Sequence, residues 1–305
     1  MTIWTKLTDR TAVLMIGIAV GATIASAFYA TEDDEDQTPV AQIEVPASGT
    51  PQLAKAEPAK ACPVIFQPTA RLKEALDHGG HADIGVFGDS YGEGIWAGLY
   101  NDLRGNPAFT VHNFAKRSTG FTRYKSLNLL DDSRAKLDGQ SVDLAVVSFG
   151  ANDTNDIWEE GHLMPYMSDD WKTFIAKRAR EWVEQIRHTG ATVVWIGLPR
   201  MRKVKFDHQI AEMNAFNAKL MCDLDVPFVD TVPKSVDEKG EYTEYLVPPG
   251  QHDAIKARAG DGIHMTMTGY RILIADVTRD IRALKPEPAP EPSPRPDKPQ
   301  QAMAQ

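Results

Sequence analysis

From about residue 83 to residue 285 the chain alternates two hydrophobic patterns. Short unbroken apolar runs read as strands buried on both faces. Stretches with apolar residues three or four apart read as helices with one face in a core. Asp83 to Phe87 is the first run and Phe109 to Phe114 the second. Val142 to Phe149, with Leu144, Ala145, Val146 and Val147 in a row, is the third, and Thr192 to Ile196 and Pro227 to Val232 complete a set of about five. Among the helices, Gly94 to Leu103 places Ile95, Trp96, Leu99 and Leu103 on one face. Trp171 to His188 is a long amphipathic helix opened by Ser168-Asp169-Asp170 and closed by Gly190. Two more run from about Asp207 to Leu224 and from about Thr268 to just before Pro286. Apolar strands separated by amphipathic helices predict one α/β domain, a parallel sheet of about five strands in a three-layer α/β/α arrangement. Sites in such domains form beyond the carboxyl ends of the strands.

The two ends of the chain lack this pattern. Lys6 and Arg10 precede an apolar stretch from Thr11 to Ala30, and the acidic run Glu32 to Asp36 follows. That charge order makes residues 1–30 a signal peptide or an N-terminal membrane anchor. Ala25-Ser26-Ala27 resembles a cleavage site, and residues 11–30 are also about as long as the roughly 20 residues a bilayer span requires. Either way the rest of the chain is exported, to the periplasm or to the periplasmic face of the inner membrane. Residues 31–61, rich in Ala, Pro, Glu and Thr, read as a flexible linker, and 286–305 as a Pro-rich disordered tail. The folded domain is expected over 62–285. The two cysteines, Cys62 and Cys222, fit an exported chain, either as one disulfide or as two buried thiols. A net charge of −9 argues against nucleic acid as a partner, and no nucleic-acid-binding or zinc motif appears.

Three segments carry candidate chemistry. Gly88-Asp89-Ser90-Tyr91-Gly92 follows the first strand. Ser90 there is either the cap of the next helix or a nucleophile on a sharp strand-to-helix turn. Asn152 follows the third strand in Gly150-Ala151-Asn152-Asp153. Its amide is a neutral donor suited to a developing oxyanion, although Asn-Asp is also a common turn. Asp261-Gly262-Ile263-His264 places a carboxylate where it can orient an imidazole, whose other nitrogen then faces a serine. Gly120, after the second strand, can bring a backbone N–H close to a ligand, or simply make a turn. The match of Gly88 to Gly92 with the Gly-x-Ser-x-Gly elbow of α/β-hydrolases is coincidental in this context. The serine here follows the first strand, and the acid and histidine share one segment.

Ser90 in Gly-Asp-Ser, then Gly120, then Asn152 in Gly-x-Asn-Asp, then His264 in Asp-x-x-His occur in that order. The pattern resembles the SGNH, or GDSL-like, hydrolase superfamily over roughly Asp83 to Leu284. Ser118 to Arg123, Arg258 to His264, Tyr91, Asn214 and Asn217 are similar to a bacterial envelope branch of SGNH proteins. The resemblance implies a flavodoxin-like sheet and ester hydrolysis. It assigns Ser90 as nucleophile, His264 as general base and then acid, and Asp261 as its orienter. The oxyanion hole would comprise the backbone N–H groups of Ser90 and Gly120 and the Asn152 side chain. No metal or organic cofactor is required.

The expected function is an exported serine esterase acting on an O-acyl ester, acetyl in the first instance, of an envelope glycan, a glycolipid or another acylated small molecule. The alternatives are an O-acyltransferase with the same triad and a catalytically silent envelope binding protein. Arg258 can bind an anionic substrate group or pair with a nearby carboxylate. The long segment from Val232 to Gly260 is expected to cover the site and set substrate choice.

Overall fold

The computed structural model describes residues 62–285 apart from 64, 65 and 79. The expected leader (1–30), linker (31–61) and tail (286–305) lie outside the described residues. Among the described residues, no helix is long and apolar enough to cross a membrane.

Nine strands are described: β1 (Ala82–Gly88), β2 (Phe109–Asn113), β3 (Leu144–Ser148), β4 (Ile157–Glu159), β5 (His162–Met164), β6 (Thr192–Ile196), β7 (Phe228–Val229), β8 (Tyr245–Leu246) and β9 (Ile255–Lys256). The helices are α1 (Ala70–Asp77), α2 (Ser90–Leu103), α3 (Leu129–Leu137), α4 (Asp169–His188), α5 (Val204–Asp223), α6 (Met267–Leu273) and α7 (Ala275–Leu284). Five strands form one parallel sheet in the order β2-β1-β3-β6-β7, while β4–β5 and β8–β9 are separate antiparallel pairs. This is the predicted three-layer α/β/α fold.

Alternation along each central strand divides the core into two layers. Leu144 and Val146 of β3 join Ile84, Val86, Val194 and Ile196 under α1, α2, α6 and α7. Ala145 and Val147 face the other way and join Val193, Trp195 and Phe87 under α3 and α4. Both faces of the strands are therefore dry, which is why they read as continuous apolar runs.

Several elements differ from the sequence reading. Strand β7 is two residues long rather than six, because the chain turns into a short 3-10 segment at Val232–Lys234. The last helix is two helices, since Ile274 leaves helical geometry at φ −97°, ψ 9°. Helices α1 and α3 were not legible as periodic runs. Each begins at a side-chain cap, Thr69 accepting from Leu72 N and Asn128 from Leu130 N. The Ser168 cap of α4 is as read, its hydroxyl accepting from Trp171 N. Trp96 departs from the predicted buried face of α2. Ile95, Leu99 and Leu103 are buried, whereas Trp96 is only partly so. Cys62 and Cys222 form a disulfide that ties the start of the domain to the last turn of α5.

The sheet register positions the site. Gly88 pairs with Ser148 and Val86 with Asn113, so β1, β2 and β3 end at one level. The segments carrying Ser90, Gly120 and Asn152 leave the sheet from that shared edge.

Candidate active site

The turn after β1 is built on close backbone approach. Gly88 has φ +152°, and a Cβ there would stand 2.2 Å from the Ser148 carbonyl oxygen and 2.9 Å from Gly92 Cα. The chain then enters α2 with Asp89, not Ser90, as its cap: Asp89 Oδ1 accepts from Tyr91 N at 2.8 Å. The cap role is thus filled by a neighbour. Ser90 becomes the first residue of the helix, where backbone N–H groups have no intrahelical acceptor.

His264 Nε2 lies 2.8 Å from Ser90 Oγ, and its Nδ1 lies 2.7 Å from Asp261 Oδ2. Asp261 Oδ1 accepts from Ile263 N at 2.8 Å and His264 N at 2.9 Å. Partial burial pushes the Asp261 carboxyl upward. The His264 ring and these two N–H groups outweigh that and hold it at about 2. An ionised carboxylate can only accept, so Nδ1 carries the imidazole proton and Nε2 accepts from the Ser90 hydroxyl. Three residues from two distant segments therefore form one continuous proton path.

The segment bearing Asp261 and His264 is pinned at several points. Gly262 takes φ +71°, a conformation that favours glycine, and its carbonyl accepts from Arg202 N at 3.0 Å. Arg202 Nη2 also donates to Gly260 O at 2.9 Å. Tyr91 stacks on the imidazole with ring centroids 5.8 Å apart, and its hydroxyl donates to Ile263 O. The positioning roles of Tyr91 and Arg202 were not read from the sequence. Tyr91 stood out only through the family resemblance, which gives it no task, and Arg202 carries no local signal.

Arg258 requires a correction. It is fully buried, and its partners among the described residues are backbone carbonyls rather than a carboxylate. Its guanidinium donates to the carbonyls of Arg200 at 2.6 Å and of Ser235 and Ile263 at 3.4 Å, and lies over the Tyr242 ring. A buried cation needs acceptors on several sides, and carbonyls from three segments supply them. Arg258 thereby braces the loop that carries His264. The segment from Val232 to Gly260 is a second correction. It is folded by the Val236–Tyr242 bridge and the β8–β9 pair, and none of its described residues lines the cleft at Ser90.

Asn152 shares the cleft with Ser90 and His264. Its Nδ2 donates to Thr119 O at 3.0 Å and to Asp89 Oδ2 at 3.3 Å. Both amide hydrogens are thus engaged, and donation to an oxyanion means giving up the longer contact, to Asp89. Gly120 is extended at φ 172° and is not among the residues lining the cleft, whereas Ser118 of its segment is. A Cβ on Gly120 would stand 2.4 Å from Asp153 Oδ1, so glycine here admits the buried Asp153 carboxylate. That carboxylate accepts from Thr122 N and Oγ1, both at 2.8 Å. Truncating the amide tests its role. Asn152→Ala is expected to lower kcat for an activated ester by roughly 10²-fold, with KM little changed in steady-state kinetics.

Asp89 adds a pH dependence. Burial raises its carboxyl to about 7, and nearby Asp153 adds to the rise against the lowering pull of the Tyr91 N–H. Between the ordinary 3.8 and about 7, the folded protein holds a proton that the unfolded chain has released. Folding stability is therefore greatest at the acid end of this window. It falls as pH rises, by up to about 1.4 kcal/mol per pH unit, and levels off above about 7. Asp261, held at about 2, acts in the opposite sense, and its stabilisation is lost only as pH falls below 3.8 towards 2. Urea unfolding across the upper window should show wild type losing stability with pH relative to Asp89→Asn. Parallel pH profiles for the two proteins would contradict the assignment.

Similarity to known proteins can be set beside this geometry. The family described as "Protein of unknown function (DUF459)" matches residues 83–280. No curated protein matches the chain. Similar solved structures include the periplasmic domain of a Salmonella ser. Paratyphi A lipopolysaccharide acetyltransferase, at 13% identity over 70% of this chain and 88% of that one, with a TM-score of 0.48. A GDSL-like lipase from Bacteroides thetaiotaomicron matches at 15% identity over 70% of this chain and 98% of that one, with a TM-score of 0.46. An acetyl-xylooligosaccharide esterase from Geobacillus matches at 15% identity over 66% of this chain and 94% of that one, with a TM-score of 0.44.

Proposed function

This chain belongs to the DUF459 family, an SGNH-like family whose description assigns no activity, and from its own site geometry we propose that it is a serine esterase. The observation that carries the reading is the hydrogen-bonded path from Ser90 Oγ through His264 to Asp261, at 2.8 and 2.7 Å, at the carboxyl end of β1. In the proposed reaction Ser90 Oγ attacks the ester carbonyl carbon while His264 Nε2 takes its proton. The carbonyl oxygen becomes an oxyanion held by the Ser90 N–H and the Asn152 amide, while the expected third donor, the Gly120 N–H, belongs to a residue that does not line the cleft. Collapse breaks the bond to the alcohol, which leaves with the proton from His264, and an acyl group remains on Ser90. Water, deprotonated by His264, then attacks the acyl-enzyme, releases the carboxylic acid and restores the serine. Asp261 stabilises the imidazolium in both halves.

The proposed setting is outside the cytoplasm, and the substrate an O-acylated, in the first instance O-acetylated, envelope glycan or glycolipid. The basic-apolar-acidic order of residues 6–36 and the Cys62–Cys222 disulfide support an exported chain. Purified protein is expected to hydrolyse p-nitrophenyl acetate, and a serine-reactive phosphonate to label Ser90. Mass spectrometry of envelope glycans with and without the active protein separates the two directions of acyl chemistry. Loss of acyl groups supports the esterase, and gain would make the protein a transferase.

A further inference from the structure

The cleft at Ser90 continues past the triad onto an aromatic ridge that the proposed chemistry does not use. The cleft has a volume of about 660 Å³, and Trp96, Ala97 and Met267 line it together with Ser90 and His264. Glu93, Trp96 and Tyr100 follow Ser90 on α2 at three- and four-residue steps, so they stand along one side of the helix. At about 1.5 Å per residue, Trp96 lies about 9 Å along the axis from Ser90 and Tyr100 about 6 Å beyond it.

The two rings form a continuous surface. Their centroids are 5.8 Å apart and their planes are inclined by 31°. Trp96 is held by its Nε1–H, which donates to Val111 O at 3.3 Å. Tyr100 is 45% exposed and Met267 43%, so the strip presents apolar surface to solvent. Polar groups border the strip on both sides. Glu93 and Arg117 pair at its upper end, Asn113 lines the cleft, and Asn101 Nδ2 lies 3.6 Å from Met267 Sδ. Beneath it Ile95 and Leu99 are packed in the core, so the strip is a platform rather than the mouth of a tunnel.

We infer that this ridge is a carbohydrate-binding platform, on which pyranose rings of an O-acylated oligosaccharide stack against Trp96 and Tyr100 while the acyl group reaches Ser90. Sugar rings present flat C–H faces to aromatic rings and hydroxyls at their edges. A partly buried Trp96 and a half-exposed Tyr100, bordered by amides and a neutral ion pair, meet both needs. Ile95 and Leu99 are packed in the core and leave no enclosed channel for a long acyl chain under the strip. The spacing along α2 places Trp96 and Tyr100 under successive parts of a chain rather than under one small molecule. The inference rests on the esterase reading for the position of the acyl group, but the platform itself is tested by binding.

Calorimetric titration of the full chain with a hexamer of N-acetylglucosamine that carries no O-acyl group, and separately with a hexamer of glucose, should show binding of at least one. Tyr100→Ala should weaken it by roughly tenfold, and Trp96→Ala by at least as much, on the scale of one aromatic contact. Tyr245→Ala, an exposed tyrosine on β8 outside the cleft lining, should leave binding as it was. Absence of binding to either hexamer, or binding that Tyr100→Ala does not weaken, overturns the platform. Turnover of p-nitrophenyl esters by the wild type judges the esterase reading separately. If decanoate is preferred to acetate and Tyr100→Ala erases that preference, the strip holds acyl chains and the inference is wrong.

Discussion

Ser90→Ala is expected to lower the turnover of p-nitrophenyl acetate by about 10⁴-fold or more while the protein stays folded by circular dichroism. Alanine removes only the oxygen that is to be acylated. The Ser90 backbone N–H, the cap by Asp89 and the packing of Tyr91 all persist, so stability should change little. His264→Ala is expected to cost about as much, and the double variant no more than either single, because the two groups act in one step. Asp261→Ala should cost less, because Asp261 orients the imidazole and supports its charge but does not itself react. Near-wild-type turnover in Ser90→Ala would remove the nucleophile assignment. Loss from Ser90→Ala together with full activity in His264→Ala would replace the base.

Gly88→Ala is expected to cost about 3–5 kcal/mol of stability. The new methyl would stand 2.2 Å from a carbonyl oxygen of β3 and 2.9 Å from Gly92 Cα, both backbone atoms that cannot swing aside. The φ of +152° adds strain for any residue with a Cβ. Relief requires the β1–α2 turn to move, which shifts Ser90 away from His264, so activity of the folded fraction should fall as well. Gly139→Ala provides the comparison. It also has positive φ, +73°, but nothing lies within 4 Å of the added Cβ, so only the conformational cost of about 1 kcal/mol remains. Urea midpoints read both effects. Equal midpoints for the two variants would mean that the turn absorbs the methyl.

The site was legible to the extent that its members carry local signals. Ser90, Asn152 and His264 each stand at the end of an apolar run or in a tight turn, and the structure brings all three to one cleft. Ser90 was ambiguous because serine caps helices as readily as it attacks esters. The ambiguity ends only when Asp89 is seen to hold the cap. Arg258 was misread because a charged residue beside a candidate acid suggests a ligand, and nothing local reveals that it points inward to three carbonyls. Asp89 and Asp153 were overlooked as buried carboxyls for the same reason: burial is decided by segments far away in the chain. Trp96 was assigned to the core face by helical period, a pattern that cannot distinguish an apolar residue facing a core from one beside an open cleft.

Taken alone, the sequence determined the parallel α/β architecture, because strands buried on both faces and helices buried on one impose different periods that local composition records. It also determined which residue types stand at the strand ends, since glycines and short polar residues are needed where the chain turns sharply. The tertiary structure alone decided how those residues meet. It set the 2.8 Å from Ser90 to His264 across 174 positions, the joining of Cys62 to Cys222 across 160, and the inward turn of Arg258. It also left Trp96 and Tyr100 open along one ridge. These are contacts between distant segments, and their energies depend on packing and desolvation that no stretch of neighbouring residues encodes.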